Sequence, residues 1–304
     1  MLQALILGIV QGLTEFLPIS SSAHLSIVPK LLGFETPQLA FDVLLHFGTL
    51  TAVIAYFWRD LWAFVLCLVA PGRLGPGQAG QRRRLLGLLV LASVPTAIAG
   101  FLLQDWAESQ TEQPLRASVW LMLTTLLMIG AELYDKRRNR RAAVAVGHRA
   151  ASAEVDPDPA DRAPEGSARR DQAAETELET LPVKRAVGIG FAQALALIPG
   201  TSRSGATISA GLLLGVSRET AARFSFLLSI PAILGAGMLK LDDLGQGTAS
   251  GAELLVGFLA AAISGFLAVS VLIKLLRTHT LWPFIWYRLI AGAAFVVLLS
   301  TVVD

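Results

Sequence analysis

Two polar breaks inside apolar segments constrain this chain more than any other feature. The first, from Pro18 to His24, reads Pro-Ile-Ser-Ser-Ser-Ala-His, and the second, from Pro199 to Thr207, reads Pro-Gly-Thr-Ser-Arg-Ser-Gly-Ala-Thr. Hydrocarbon penalises unpaired polar groups, and ionisable residues at membrane depth usually mark a functional site. Two such breaks in two apolar segments predict a polar chamber within a membrane protein.

The composition supports a membrane protein. Apolar residues make up 54% of the chain and charged residues 16%, against about 25% charged in an average soluble domain. Arginine-rich runs at 82–84 and 136–141 flank apolar segments, so the positive-inside effect explains them and no nucleic-acid partner is expected. The single cysteine, Cys67, excludes an intrachain disulfide and a cysteine-based zinc site.

Long apolar runs predict six transmembrane helices, because one span needs about 20 residues. These runs cover residues 43–68, 85–103, 117–133, 221–241, 252–276 and 284–303. Two further apolar segments, 2–17 and 187–198, are too short to span and stop at a proline. A second short apolar leg follows each break, at 25–34 and 208–216. This pattern predicts two re-entrant helical hairpins, which need protein or water around their backbone.

The two halves of the chain resemble each other. Gly8 and Gln11 stand before the first break as Gly190 and Gln193 stand before the second, and three predicted spans follow each hairpin. An odd number of crossings per half inverts the second copy, an arrangement that can form a polar site at the membrane midplane. The predicted fold is therefore all-α: a polytopic membrane protein with six transmembrane helices and two re-entrant helical hairpins arranged as an inverted repeat.

The chain is predicted to divide into two repeat halves and a linker. Residues 1–135 form the first half, 136–184 a charged cytoplasmic linker and 185–304 the second half. Within the linker, residues 142–180 are rich in Ala, Asp, Glu, Pro and Arg. A segment with so few large apolar residues cannot offset its ordering entropy, so we expect it to be largely disordered.

Charge also predicts the topology. The basic segments 72–84 and 136–184 are expected in the cytoplasm, and the acidic segments 104–116 and 242–251 outside. Three basic residues of the second half again fall inside: Lys274, Arg277 and Arg288. Six spans then leave both termini outside.

Glu15 is the first candidate for chemistry, because a carboxylate on an apolar helix is costly unless it is paired or metal-bound. Gln11 lies one turn earlier on the same face. Together the two side chains offer three oxygen atoms to a divalent cation such as Mg²⁺, which prefers oxygen ligands and keeps waters and phosphate oxygens. The alternative is structural, for example an ion pair between Glu15 and Arg203.

The first loop offers hydroxyl groups and an imidazole. Ser20, Ser21 and Ser22 supply hydroxyl donors, and the helix after them presents free backbone N–H groups to an anion. One serine could act as a nucleophile with His24 as its base. The alternative is that the serines cap or pack and that His24 is a hydrogen-bonded structural residue.

Arg203 predicts a phosphate site, because its planar fork suits bidentate contact with phosphate oxygens. Its neighbours add further donors: Thr201, Ser202, Ser204 and Thr207. An arginine that snorkels at a membrane edge is the alternative, although the Pro-Gly and the four hydroxyl residues favour a site.

Asp42 and His46 are minor candidates. They stand one turn apart near the start of the first predicted span and could line the same chamber. A helix cap and an interhelical hydrogen bond explain them nearly as well.

These loops resemble the signature motifs of the bacterial undecaprenyl-diphosphate phosphatase family, also called the bacitracin-resistance protein family. Gln11-Gly12-Leu13-Thr14-Glu15 is similar to its (Glu/Gln)-x-x-x-Glu element, with Gln11 where the family often has Glu. The segment from Pro199 to Thr207 matches Pro-Gly-x-Ser-Arg-Ser-x-x-Thr at every fixed position. The resemblance covers nearly the whole chain apart from the linker.

The resemblance implies hydrolysis of undecaprenyl diphosphate to undecaprenyl phosphate and inorganic phosphate, which recycles the lipid carrier for cell-wall synthesis. It implies a site on the outer side of the bacterial cytoplasmic (inner) membrane, a divalent cation (Mg²⁺, with Ca²⁺ as an alternative) and often a homodimer. The core site would be Glu15, Ser21, His24 and Arg203, supported by Gln11, Ser20, Ser202, Ser204 and Thr207. Attack by serine and direct attack by water both remain open.

Two other classes of function fit parts of the pattern. A lipid flippase or transporter is the leading rival, because inverted repeats with re-entrant loops are also a transporter design. A scaffold protein would explain the spans but would give no purpose to a buried Glu15 and Arg203. Phosphate release by the purified protein separates the enzyme from both.

Overall fold

The computed structural model describes residues 1–34, 39–111, 114–152, 167–240 and 249–302. Within these ranges the chain forms twelve α-helices. The first six are α1 (Leu2–Phe16), α2 (Ser21–Leu32), α3 (Leu39–Tyr56), α4 (Trp58–Val69), α5 (Gln78–Thr111) and α6 (Pro114–Ser152). The others are α7 (Ser167–Glu179), α8 (Val183–Ala194), α9 (Arg203–Leu213), α10 (Arg218–Leu239), α11 (Gly251–Leu276) and α12 (Trp282–Val302).

Several helices are long and apolar enough to cross a membrane. Four stretches of the described chain qualify: Gln78–Leu103, Leu115–Arg141, Arg218–Leu239 and Gly251–Leu276. The pair Ala40–Tyr56 and Trp58–Val69, bent by 73°, makes a fifth if it is one broken span. The protein is therefore an all-helical, multi-pass membrane protein.

The predicted span over 43–68 is divided into two helices, because the chain leaves the helix at Phe57 (φ −96°, ψ 19°). Asp60 and Arg82 pair at 2.9 Å just beyond this point, which keeps the start of α4 close to α5. The charged residues Arg59 and Asp60 inside the apolar run were the signal for this bend.

Both predicted breaks interrupt helices as expected. α1 ends just before Pro18, with Leu17 extended (φ −65°, ψ 140°), because a residue that precedes proline is driven out of the helical region. Ile198 is likewise extended before Pro199 (φ −80°, ψ 117°). α2 and α9 are the short legs that follow.

The shared glycines explain how the short helices pack. α1 packs mainly against α11, and α8 packs mainly against α5. A Cβ added to Gly8 would lie 2.5 Å from the Gly257 carbonyl oxygen, and one added to Gly190 would lie 2.2 Å from that of Ala92. Only glycine permits these close crossings of α1 with α11 and of α8 with α5.

The prediction of a largely disordered segment at 142–180 is wrong for 142–152, which continues α6, and for 167–179, which forms α7. Leu178 and Leu181 are buried on the α7 side of the bundle. Glu179 lies 3.3 Å from Arg82, so its charge is paired where α7 meets α5. Sparse but well-spaced apolar residues were enough to anchor the helix, whereas residues 153–166 lie outside the described part of the chain.

Candidate active site

The two polar loops meet in the folded protein. The Arg203 Nη2 atom lies 2.9 Å from Oε1 of Glu15. A second contact joins the two segments, because the Gly200 backbone N–H donates to the Ser22 side-chain hydroxyl at 3.0 Å. The carboxylate and the guanidinium that the sequence singled out therefore belong to one cluster.

Glu15 is the centre of that cluster and is buried, with 7% of its surface exposed. Its Oε2 atom accepts hydrogen bonds from the Ser21 hydroxyl at 2.6 Å and from the Gln11 amide at 3.2 Å. A buried carboxylate is stable only when its charge is paired and its lone pairs are satisfied. Arg203, Ser21 and Gln11 meet that requirement.

The first loop has a strained backbone that aims Ser21 at Glu15. Ser20 has φ 76°, the one positive φ at a non-glycine among the residues described, and such conformations persist where the surroundings hold them. Nδ1 of His24 donates to the Ser20 carbonyl at 2.7 Å. Because that bond fixes the proton on Nδ1, Nε2 of a neutral His24 accepts from the Tyr287 hydroxyl at 2.6 Å.

The second loop presents Arg203 at the start of α9. Gly200 has φ 92°, and a Cβ there would lie 2.0 Å from the Ala117 carbonyl oxygen, so glycine is required for the approach to α6. The Ser202 hydroxyl caps α9 by accepting from the Gly205 N–H at 3.1 Å and also lies 3.2 Å from the Ser204 hydroxyl. This cap fixes the register of Arg203.

The remaining predicted phosphate ligand, Thr207, is engaged within the protein. Its hydroxyl donates to the Arg203 carbonyl at 2.7 Å and lies 2.6 Å from the Ser225 hydroxyl of α10. As placed, Thr207 ties α9 to α10.

Three buried polar atoms of the two polar segments have no hydrogen-bond partner among the described residues: Arg203 Nη1, Thr201 Oγ1 and Gln11 Oε1. Buried polar atoms are nearly always hydrogen-bonded in native proteins. The N–H of Arg203 and the O–H of Thr201 suit an anionic oxygen, whereas the amide oxygen of Gln11 suits a cation. The site thus has unsatisfied groups of the kinds that a metal-bound phosphate would satisfy.

Within the described ranges, no three His, Cys, Asp or Glu side chains are placed to hold a metal ion. A divalent cation here would depend on Gln11 and Glu15 together with substrate oxygens and water. The unpartnered Gln11 oxygen fits such an ion, because Mg²⁺ is commonly held by one or two protein oxygens plus phosphate.

The minor candidates lie at the edge of the cluster. Nε2 of His46 is 3.8 Å from Oε2 of Glu15, and its Nδ1 donates to the Asp42 carbonyl at 2.8 Å. Asp42 stands one turn before His46 on α3, and no described contact joins its carboxylate to Glu15.

Tyr287 was not among the predicted site residues, and Arg288 is in contact with the first polar segment. Tyr287 stacks on His24 with ring centroids 5.7 Å apart. Arg288 was counted among the basic residues inside, but it is completely buried and donates to the Pro18 carbonyl at 3.2 Å and to the Thr125 hydroxyl at 2.8 Å. An arginine within an apolar run was the available signal, because such residues usually line a protein interior.

The family model and the relatives that this chain matches agree with one another. The sequence model described as "Bacitracin resistance protein BacA" matches residues 4–294. The chain is 44% identical over 300 residues to the "Undecaprenyl-diphosphatase" of Alcanivorax borkumensis, with 96% of each chain covered. It is 41% identical over 296 residues to that of Pelotomaculum thermopropionicum, with 97% of this chain and 96% of the relative covered.

Proposed function

Because this chain belongs to the bacitracin resistance protein BacA family, we infer that it is an undecaprenyl-diphosphatase. This membrane hydrolase converts undecaprenyl diphosphate to undecaprenyl phosphate and inorganic phosphate and so recycles the lipid carrier for cell-wall synthesis. The observation that carries the site assignment is the 2.9 Å contact between Arg203 and Glu15, with Ser21 donating to the same carboxylate. Arg203 would anchor the phosphate and Ser21 would supply a hydroxyl, and both contact Glu15, the proposed proton acceptor.

The diphosphate is proposed to enter between the two loops while the lipid tail lies among the apolar helices. Arg203 keeps one guanidinium nitrogen on Glu15 and has Nη1 unpartnered, so it can hold a phosphoryl oxygen without leaving the carboxylate. Thr201, 3% exposed with an unpartnered hydroxyl, supplies a second donor on the same loop. Three serine hydroxyl groups stabilise the conformation of the two segments through hydrogen bonds: those of Ser22, Ser202 and Ser204.

Two routes start from the observed Ser21–Glu15 hydrogen bond. In the serine route, Ser21 Oγ bonds to the terminal phosphorus, its proton passes to Glu15, and the anhydride bond breaks as undecaprenyl phosphate leaves. Water then hydrolyses the phosphoserine and releases phosphate. In the direct route, Ser21 and Glu15 orient a water that attacks the same phosphorus. Arg203 offsets the charge on the transferring oxygens in both, which is the main requirement of phosphoryl transfer.

A divalent cation, with Mg²⁺ as the expected ion, is proposed to contact Gln11 Oε1 and Glu15. When bound, it would neutralise part of the diphosphate charge, as such ions do in phosphoryl transfer. The unpartnered Gln11 oxygen supports this proposal. The protein's own contribution is to present these two oxygens on one face of α1.

The finer membrane arrangement is also a proposal. We place six spans and two re-entrant hairpins as an inverted repeat, with α12 as the sixth span, in the bacterial inner membrane. The reciprocal packing of α1 on α11 and α8 on α5 supports the repeat. The charge pattern of the sequence supports an active site that opens to the outer side and a cytoplasmic linker, and a homodimer is the proposed assembly.

Phosphate release from a polyprenyl diphosphate by the purified protein in detergent tests the function. Hydrolysis without a sealed bilayer is expected, whereas a flippase needs two compartments and releases no phosphate. Arg59→Ala should release phosphate at the wild-type rate, because this arginine is exposed and packs over Trp58. No release by the wild-type protein, with Mg²⁺ or Ca²⁺ present, would overturn the proposed function.

A further inference from the structure

Two arginines converge at the end of α9 that lies away from the active site. α9 begins with Arg203 and has 11 residues, so roughly 16 Å of helix separates Arg203 from the last turn. Gly215 follows that turn, and Arg138 of α6 and Arg185 of α8 both approach it. Neither of these two arginines has a role in the proposed phosphatase site.

Gly215 leaves the space in which the two guanidinium groups meet. It has φ 81°, and a Cβ built on it would lie 3.1 Å from Nη1 of Arg138 and 3.7 Å from Nη2 of Arg185. Two positive charges that converge on one point repel each other, and an anion in contact with both would remove that repulsion. The geometry therefore offers a place for a negative group.

The protein partners of the two arginines leave donors free. Nη2 of Arg138 lies 2.8 Å from Asp135, and the same carboxylate also lies 2.7 Å from Arg218. Nη1 of Arg138 is buried and has no hydrogen-bond partner among the described residues, which is rare in native proteins. Within the described part of the chain, the Arg185 side chain has only a 3.4 Å hydrogen bond to the Gly215 carbonyl.

Two further carboxylates of this region are already engaged. Glu177 accepts from the Ser217 N–H at 3.1 Å and from the Thr220 hydroxyl at 2.7 Å, which stabilises the start of α10. Glu132 lies 2.8 Å from Arg218. No described contact joins either carboxylate to the two converging arginines, so their charges are not neutralised from this side.

The start of α8 adds to the positive potential. Its first turn contains Lys184 and Arg185 but no acidic residue, and Pro182 before it provides no side-chain cap. The N-terminus of a helix favours negative charge, so two cations there are unfavourable without an anion beside them. An anion at Arg185 would therefore interact favourably with the helix as well as with the guanidinium groups.

Apolar side chains border the converging arginines. Val183 and Leu214 are exposed, and they stand two residues before Arg185 and one residue before Gly215. Exposed apolar side chains next to paired cations fit a ligand that has both a charged group and hydrocarbon, which a lipid has and a free ion lacks. Basic pockets between transmembrane helices on the cytoplasmic side hold anionic headgroups in this way.

We propose that Arg138 and Arg185 bind the phosphate group of an anionic membrane lipid, on the side of the membrane that we assign to the cytoplasm. Nη1 of Arg138 donates to one phosphate oxygen and Arg185 to another, while the acyl chains lie along Val183 and Leu214. The lipid thereby joins α6 to the hairpin of α8 and α9. This inference goes beyond the proposed function and does not depend on it.

The positive-inside effect alone does not account for this pair of arginines. Charges that only orient a membrane protein need no buried donor without a partner, whereas Nη1 of Arg138 is such a donor. A free phosphate ion would offer the same oxygen atoms, and the experiment must therefore separate the lipid from the ion.

Thermal unfolding in mixed micelles tests the site. Phosphatidylglycerol added to the purified protein in a neutral detergent should raise Tm, because a ligand of the folded state stabilises it, and phosphatidylcholine should have little effect. Arg185→Gln should raise the phosphatidylglycerol concentration that gives half of the Tm gain about tenfold or more, since it removes a charged hydrogen bond to phosphate. Arg137→Gln, which removes an exposed arginine beside Arg138, is the matched control and should keep the wild-type midpoint.

Native mass spectrometry gives a second readout, which does not depend on the stability of the variants. The wild-type protein and Arg137→Gln should retain phosphatidylglycerol, whereas Arg138→Gln and Arg185→Gln should each retain one lipid fewer. Inorganic phosphate should not reproduce the difference in Tm gain between the wild-type protein and Arg185→Gln. If it does, the ligand is a free anion and the lipid assignment is overturned.

Two other results would overturn the site itself. One is an equal phosphatidylglycerol midpoint for the wild-type protein and Arg185→Gln, and the other is an equal shift of that midpoint in Arg137→Gln and Arg185→Gln. Neither measurement uses phosphate release, so the loss of this site would leave the proposed phosphatase function standing, and the failure of that function would leave the lipid site standing.

Discussion

Arg203 and Glu15, which belong to different halves of the chain, form a 2.9 Å ion pair in which the carboxylate is almost completely buried. The same carboxylate accepts from Ser21 at 2.6 Å. Arg203 has one nitrogen on Glu15 and another unpartnered, so in the proposed site it would bring a phosphate to the Ser21 hydroxyl.

Arg203→Lys should lower kcat/KM about 10²-fold although it keeps the positive charge. A lysine presents one compact ammonium and cannot contact Glu15 and a phosphoryl oxygen with separate nitrogens. Phosphate release at several substrate concentrations measures the loss, with Arg59→Lys as the surface control. A kcat/KM of Arg203→Lys within threefold of wild type would contradict the proposal that separate nitrogens of Arg203 contact Glu15 and a phosphoryl oxygen.

Ser21→Ala should lower kcat at least about 10²-fold, because both routes use this hydroxyl. Acid quenching after mixing with substrate labelled in its terminal phosphate should leave label on Ser21 if the serine route operates, and none if water attacks directly. Ser270→Ala, which removes an exposed hydroxyl bonded to the Phe266 carbonyl, is the control. Full activity of Ser21→Ala would exclude the serine route.

Gln11→Ala should raise the Mg²⁺ concentration needed for half-maximal activity about tenfold or more, because it removes a proposed ligand. Chelation should abolish wild-type activity, and added Mg²⁺ should restore it. Gln193→Ala, the corresponding change in the other half, should leave the Mg²⁺ midpoint unchanged: the Gln193 amide oxygen is also unpartnered, but its amide nitrogen donates to Thr96 and not to Glu15. Equal midpoints for wild type and Gln11→Ala would count against the cation site.

Gly190→Val should destabilise the fold by about 1–3 kcal/mol, because its Cβ would clash with backbone and force α8 away from α5. The Cβ position lies 2.2 Å from the Ala92 carbonyl oxygen. Thermal unfolding in detergent measures the effect. Gly87→Ala on α5 is the control, since nothing lies within 4 Å of its Cβ position, and a Tm for Gly190→Val equal to that of wild type would contradict the close crossing.

The sequence was most informative where local chemistry determines structure. Pro18 and Pro199 end helices through backbone sterics, and Glu15 and Arg203 are too costly in an apolar environment to remain apart. Both statements depend on residue type alone, so the breaks and the meeting of the two loops could be anticipated.

Structural features that depend on contacts between residues far apart in the chain could not be predicted from the sequence. The bend at Phe57 accompanies the pairing of Asp60 with Arg82, and the order of α7 depends on Leu178 packing into the bundle and on Glu179 pairing with the same arginine. Arg288 looked like a charge at the membrane surface because its acceptors, among them the Pro18 carbonyl, lie far away in the chain. Counting charges cannot find such partners.

The most direct test of the central claim is a double-mutant cycle on kcat/KM for phosphate release, with Glu15→Ala, Arg203→Ala and the double variant. If the two residues act as one unit on the diphosphate, each single change lowers kcat/KM at least about 10²-fold, and the double variant is no worse than the more impaired single variant. Losses that multiply in the double variant, or a single variant that retains wild-type activity, would contradict the claim.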